Sequence, residues 1–169
     1  HDMNKLAASV PIGSDGLTIL PFGNGAERML HNESKGARMS NLNFNVHQKE
    51  HLFRAALEGI AFSFVYGITI LKRDGVDLSV IRAGNDNLFR SDIFSNTIAT
   101  LVGADINIID TTGAVGAARA AGVSSGSFSM EEAFSKNEQV MTYHPVTDKN
   151  KYTEAYELWK HNLENQYHQ

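Results

Sequence analysis

The residues whose types and spacing suit chemistry fall in three places. His47-Gln48-Lys49-Glu50-His51 has the H-x-x-E-H form, and histidines four apart share a helix face as zinc ligands do. This match falls in the first turns of a helix and outside any enclosed cleft. It reads as a solvated helix start, with no metal expected, and His31, His144, His161 and His168 read as surface residues. Gly23-Asn24-Gly25-Ala26-Glu27-Arg28 sets two glycines beside a charged pair, without the Gly-Lys-Ser/Thr ending of a phosphate cradle or the third glycine of a dinucleotide fingerprint. A turn with a solvated ion pair and a cleft-facing loop both fit it. The third place is a pair of turns, Gly84-Asn85-Asp86-Asn87 and Asp110-Thr111-Thr112-Gly113. No Ser-His-Asp order, nucleophile elbow or paired carboxylates occur.

Two consecutive strand-turn-helix units must position those turns. Ser79 to Ala83 is a short β-branched strand ending on Gly84, and Asn85 to Asn87 lead into a helix with apolar Leu88, Ile93, Phe94, Ile98 and Leu101. Ile106 to Ile109 is the next strand, followed by a small-residue helix over Ala114 to Ala121. Two strand ends thus deliver two turns to one edge, and in open α/β sheets the crevice beyond those ends is where ligands bind.

Upstream, Gly16 to Phe22 and Gly36 to Phe44 predict two antiparallel strands. Asn45 opens a long helix, with Gln48 in the position of a capping box. Phe53, Leu57, Ile60, Phe64, Ile68 and Leu71 form its apolar stripe. Gly59 and Gly67 lower helix propensity, which predicts close backbone approach at both, and Glu58 beside the stripe predicts a pair with Arg54. A short helix over Ser129 to Phe134, an extended Gln139 to His144, and a last helix capped by Thr147 or Asp148 complete the chain. The last helix packs Tyr152, Ala155, Tyr156, Trp159 and Leu163 on one face.

At 169 residues the chain is one domain by size. A formal charge of −4 with no cationic run argues against nucleic-acid and membrane-surface partners. No uninterrupted apolar stretch nears the roughly 18 residues of a membrane span, and zero cysteines exclude disulfides and thiolate metal sites. A soluble, cytoplasmic protein is expected. Residues 1–3 read as the remnant of a cleaved tag ahead of a domain over 4–169, so a fragment of a longer protein is expected.

Read together, these segments resemble the C-terminal domain of the FGGY family of carbohydrate kinases, nearest its xylulose kinases. Ala37-Arg38-Met39-Ser40-Asn41-Leu42, eight residues, then His51-Leu52-Phe53-Arg54-Ala55-Ala56-Leu57-Glu58 is similar to the family's second signature, with Asn41 where the family has glycine. Leu20-Pro21-Phe22-Gly23-Asn24-Gly25-Ala26-Glu27-Arg28 resembles its strand and Asn-Gly-Glu-Arg loop, with Ala26 inserted. Ile81-Arg82-Ala83-Gly84 resembles the strand leading to its glycine-rich adenosine loop, although Ala83 to Asn87 keep one of the usual two or three glycines. Gly113-Ala114-Val115-Gly116-Ala117-Ala118 is similar to its small-residue turn and helix.

The resemblance implies an actin-like ATPase (ribonuclease H-like) α/β domain, a mixed sheet flanked by helices. It implies transfer of the ATP γ-phosphate, with Mg²⁺, to a sugar hydroxyl of D-xylulose or a related pentulose, in a cleft shared with the N-terminal domain of the same protein. The family's catalytic aspartate and most sugar contacts lie outside the region present, so no catalytic residue is expected here and the chain alone is expected to be an inactive nucleotide platform. By the resemblance Gly84 and Asn87 border the adenosine with Asp86 and Arg90 nearby, and Gly25, Glu27 and Arg28 face the cleft. A homodimer is compatible. Two other classes remain. A Rossmann-type module would use Gly113 to Gly116 for a pyrophosphate, but Glu131 and Glu132 open a helix where it needs an acid after a strand. A non-catalytic sugar or nucleotide sensor would share the same fold.

Overall fold

The computed structural model describes residues 2–135 and 138–167, so His168 lies outside it. Helix α1 (Asp2–Ala8) takes in two of the residues read as tag. Strands β1 (Thr18–Phe22) and β2 (Gly36–Ser40) then pair antiparallel as expected, from Thr18 opposite Ser40 to Phe22 opposite Gly36. Alternation turns Thr18, Leu20 and Phe22 inward. β2 stops at Ser40, short of the expected Phe44, because Asn41 turns left-handed at φ 64° and its side-chain amide donates to the Gly16 carbonyl at 3.1 Å. Asparagine tolerates that conformation better than other side chains, which accounts for its standing where the family has glycine.

Helix α2 (Lys49–Arg73) begins three residues later than expected, with Gln48 in place of Asn45 as its N-cap. Asn45 instead closes a turn, its amide donating to Asn43 Oδ1 at 3.0 Å. α2 has the length and composition to cross a membrane. Part of that apolarity is buried, since Ala55, Ala61, Phe62 and Val65 pack in the core. The expected stripe is not the buried face: Phe53, Leu57, Ile60 and Ile68 are half-buried and Phe64 and Leu71 are exposed. The expected Arg54–Glu58 pair forms at 2.7 Å, with Glu58 only 2% exposed. The Gly13 amide donates to both carboxylate oxygens at 3.1 Å, and Arg54 donates to the Val10 carbonyl at 2.9 Å. Burial pushes the Glu58 carboxyl up, against the pull of Arg54 and the Gly13 amide.

The second sheet is mixed. β3 (Val80–Gly84) runs parallel to β4 (Asp105–Ile109), and β5 (Gln139–Tyr143) pairs antiparallel on the other side of β4. The helix expected from Asn87 divides into a 3-10 turn, Asn87–Arg90, and α3 (Asp92–Val102), because Ser91 between them is extended. α4 (Gly113–Ser124) is capped by Thr112, whose hydroxyl accepts from the Val115 amide at 3.3 Å. α5 (Met130–Phe134) starts with the reciprocal Ser129–Glu132 box, and α6 (Asn150–Tyr167) follows Asp148, whose Oδ1 accepts from the Asn150 amide at 3.1 Å.

The core joins both sheets through α2, α3 and α6: Leu20, Phe22, Phe62, Phe94, Ile98, Ile106, Ile108, Trp159 and Leu163. Trp159 is fully buried and its Nε1 donates to the Ile19 carbonyl at 2.9 Å. A Cβ on Gly59 would run into that same carbonyl, so close approach is real there. At Gly67 the expectation fails. A Cβ there would lie 3.7 Å from Met29 Sδ, an ordinary contact.

The two glycines should therefore respond oppositely in urea unfolding. Gly59→Ala should destabilise by about 1–3 kcal/mol through overpacking, and Gly67→Ala should stabilise by up to about 1 kcal/mol through helix propensity. Equal responses would contradict the packing at Ile19. Arg54→Met should cost about 3–5 kcal/mol near pH 7, because it strands a buried carboxylate. In that variant the folded-state carboxyl titrates above its ordinary 4.5, so stability is full below that pH and is lost as pH rises through the folded value. Unfolding curves at pH 4.5 and 7 should show the smaller cost at 4.5.

Candidate functional site

Because β3 and β4 are parallel, their carboxyl ends meet at one edge, and both turns rise from it. Three contacts bind the turns together. The Asn85 amide donates to the Ile109 carbonyl at 2.9 Å, the Gly113 amide donates to Asp86 Oδ2 at 3.3 Å, and the Thr111 carbonyl closes over Gly84. A Cβ on Gly84 would stand 2.7 Å from that carbonyl oxygen. Gly84 is absent from the residues of positive φ, so close backbone approach, and not a left-handed turn, requires the glycine.

Beside these turns lies a cleft of about 650 Å³. Alternation builds its floor: Ile106 and Ile108 point into the core, while Asn107 and Ile109 face the cleft with Arg82 and Gly84. Gly116 and Arg119 of α4 form one wall and Thr111 the rim. Its charged lining is cationic, Arg82 and Arg119, with no acid. The Thr111 Oγ1 is buried without a hydrogen-bond partner, a polar atom left for something else to satisfy.

The expected nucleotide residues do not share this cleft. Gly84 lines it, and Asp86 holds its rim through Gly113. Asn87, at φ 49°, opens the 3-10 turn, and Arg90 lines a separate hollow of about 200 Å³ with Phe89, Asp92 and Tyr143. There the Tyr143 hydroxyl donates to Asp92 Oδ1 at 2.8 Å, and burial beside that carboxylate pushes the tyrosine up to about 12. Arg82, Asn107 and Arg119 escaped the sequence reading as site residues, although two-residue alternation along both strands carries Arg82 and Asn107 to the face of Gly84, and Thr111 was read only as part of its turn.

Gly25, Glu27 and Arg28 lie elsewhere. Gly25 turns at φ 110°, Glu27 pairs its backbone with Glu33, and a 3-10 turn starts at Arg28. No ion pair joins Glu27 to Arg28 among the described residues, so the solvated pair is not formed. Glu27 borders a third space, a groove of about 550 Å³ along Phe64 and Leu71 of α2.

His47 and His51 are not solvated, being 8% and 9% exposed. The Asn43 amide donates to His47 Nδ1 at 3.0 Å and the Gln48 amide to His51 Nδ1 at 3.2 Å. Each Nε2 then carries the proton, donating to the Asp15 carbonyl at 3.3 Å and to Asp15 Oδ2 at 3.0 Å. Neither ring has a lone pair left for a metal. His31 and His161 are exposed, and His144 meets Asp105 Oδ1 at 2.9 Å on the surface.

No family model matches the chain. It is 28% identical over 173 residues to the xylulose kinase of Haemophilus influenzae, covering 99% of this chain and 35% of that protein. Crystal structures superpose over nearly all of it. The xylulose kinase from Rhodospirillum rubrum gives a TM-score of 0.73 at 24% identity, and the Plasmodium falciparum glycerol kinase with ADP gives 0.75 at 20%. These cover 99% and 98% of this chain, and 35% and 33% of theirs. The fold is that of the actin-like sugar kinases. The chain spans about a third of the length of these relatives, consistent with a C-terminal domain of an FGGY-family sugar kinase, and the Rossmann-type alternative is not favoured.

Gly84→Ala should displace the 110–112 turn, because a methyl at 2.7 Å from Thr111 O has no room. We expect a loss of about 1–3 kcal/mol in stability and amide chemical-shift changes confined to the two turns. Unchanged shifts at Thr111 and Thr112 would refute the close approach.

Proposed function

We propose that the chain is the C-terminal, nucleotide-binding half of a kinase that moves the ATP γ-phosphate onto a hydroxyl of D-xylulose or a related pentulose. The observation that carries this reading is similarity over the full length of the chain to sugar kinases three times as long, in sequence and in fold. The cleft suits the role in size, about 650 Å³ where ligand pockets run from about 300 to 1,000 Å³. It suits it in chemistry too, through cationic walls and an orphaned threonine hydroxyl.

In this reading Gly84 borders the adenosine, its missing side chain making room for the Thr111 carbonyl, and Asp86 fixes the rim. Asn87 and Arg90 meet the nucleotide from the far side of the turn, and Gly25, Glu27 and Arg28 face the interdomain cleft. Among the described residues no three His, Asp or Glu side chains converge to cage a metal. Mg²⁺ would then come with the ATP phosphates, neutralising charge there and held by groups outside this chain. The N-terminal domain of the same protein supplies the carboxylate base and the sugar site, the intact enzyme works in the cytoplasm, and it has the option of pairing as a homodimer.

The test is a coupled ADP-release assay with D-xylulose, L-ribulose, gluconate and glycerol. The longer protein should turn over a pentulose and the 169-residue chain none of them. Turnover by the chain itself would sink the two-domain account. In the longer protein Thr111→Val should raise the ATP KM about fivefold, roughly 1 kcal/mol for one hydrogen bond, with little effect on the sugar KM.

A further inference from the structure

Strand register lays a row of polar side chains across the floor of the cleft. Arg82 on β3 stands opposite Asn107 on β4, and Asn107 stands opposite Thr142 on β5. The row is ordered from its β5 end: Gln139 Nε2 donates to Thr142 Oγ1 at 2.7 Å, and Thr142 Oγ1 donates to Asn107 Oδ1 at 3.0 Å. That relay occupies the acceptor of the Asn107 amide and leaves its Nδ2 to face away from β5. Nδ2 donates to nothing among the described residues, and Arg82 has no hydrogen bond or ion pair among them. Both line the cleft.

An arginine on a short edge strand discourages strand pairing and needs no ligand for that. Asn107 lies on the middle strand of the sheet, half-buried, where no such role applies. A half-buried amide held with its donors unmet beside an unpaired guanidinium calls for an acceptor. The surrounding charge favours an anionic one. Arg119 of α4 adds a second cation to the lining, no acid lines the cleft, and this cationic patch stands out on a chain whose formal charge is −4. A guanidinium fork beside an amide NH₂ offers N–H donors and no acceptor, which fits a tetrahedral oxoanion and repels a cation.

We propose that Arg82 and the Asn107 amide form a binding pair for a phosphate-type oxoanion on the floor of the cleft. Its source, the phosphoryl groups of a nucleotide, rests on the kinase reading, whereas the donor geometry stands without it and would accept free phosphate equally.

Titration of the 169-residue chain with inorganic pyrophosphate, ADP and adenosine tests the pair and its ligand together, followed through the nitrogen–proton shifts of Arg82 Nε–H and the Asn107 side-chain amide. Pyrophosphate and ADP should both move these signals, and adenosine should leave them in place. Arg82→Gln should weaken both anions about tenfold, the effect of one charge-assisted bond, and Arg82→Lys should recover part of the loss. Asn107→Asp keeps the acceptor for Thr142 and turns the donor into a carboxylate oxygen, so it should abolish anion binding. Signals that neither anion moves, or that adenosine moves as far as ADP does, would overturn the pair. Pyrophosphate binding without ADP binding would keep the pair and overturn the nucleotide as its source. In the longer protein, pentulose turnover with an ATP KM unchanged by Arg82→Gln would overturn the pair and leave the kinase reading intact.

Discussion

The carbonyl of Ile19 is the point on which the packing of this chain turns. β1 has a partner on one side only, so this oxygen faces the interior with no strand to bond it. A buried carbonyl left unpaired costs roughly 1–3 kcal/mol. Trp159, from the far end of the chain, satisfies it with its indole N–H at 2.9 Å. Gly59 lets α2 come close enough to enclose it. One acceptor thereby ties β1, α2 and α6 into a single core, and the rings of Phe22, Phe62 and Tyr156 close around the same indole at 6.0 to 6.1 Å.

α2 divides its labour along its length. Its first turns and the residue before its N-cap handle polar groups: His47 and His51 seize the loop at Asp15, while Arg54 and Glu58 hold the carbonyl of Val10 and the amide of Gly13. Ser14 and Asp15 sit at φ 49° and 51°, a conformation that side chains resist, and these four residues hold the strap there. The H-x-x-E-H residues thus supply two hydrogen-bonding histidines to one loop, His47 from ahead of the helix and His51 from its first turn. Removing one member of the ion pair exposes the asymmetry of buried charge. The pair itself contributes modestly, whereas a lone buried carboxylate is costly.

Much of the fold was legible because its elements are periodic. The Ser129–Glu132 box and the Arg54–Glu58 spacing are local rules that the tertiary structure leaves standing, whereas the stripe of Phe53, Leu57, Ile60, Phe64, Ile68 and Leu71 is not the face that α2 buries. What local rules missed is tertiary. β2 ends where Asn41 reaches Gly16, 25 residues away, and α2 starts late because Asn43 to His47 close a turn with their own side chains. Gly59 and Gly67 look alike in sequence, and only the position of Ile19 separates them. The site was half legible: parallel strands with turns at one edge follow from the pattern, but the face on which Arg82 and Asn107 join Gly84 depends on strand register, and Arg119 arrives on the next helix.

The cleft beside the two turns is lined to hold an anion and not to take a proton. A general base needs a carboxylate with an uncommitted lone pair within reach of the proton it takes. Asp86 ties one carboxylate oxygen to the Gly113 amide, Asp92 holds the Tyr143 hydroxyl in a separate hollow, and Asp110 lies exposed in the second turn without lining the cleft. The cleft has no acid in its lining. Its cationic walls favour bound anions, which suits phosphoryl transfer, where placing the donor and spreading its charge are most of the catalysis. The base for the proposed reaction would therefore come from outside this chain. In the proposed reading, the cleft gains its chemistry only when the second half of the molecule closes on it.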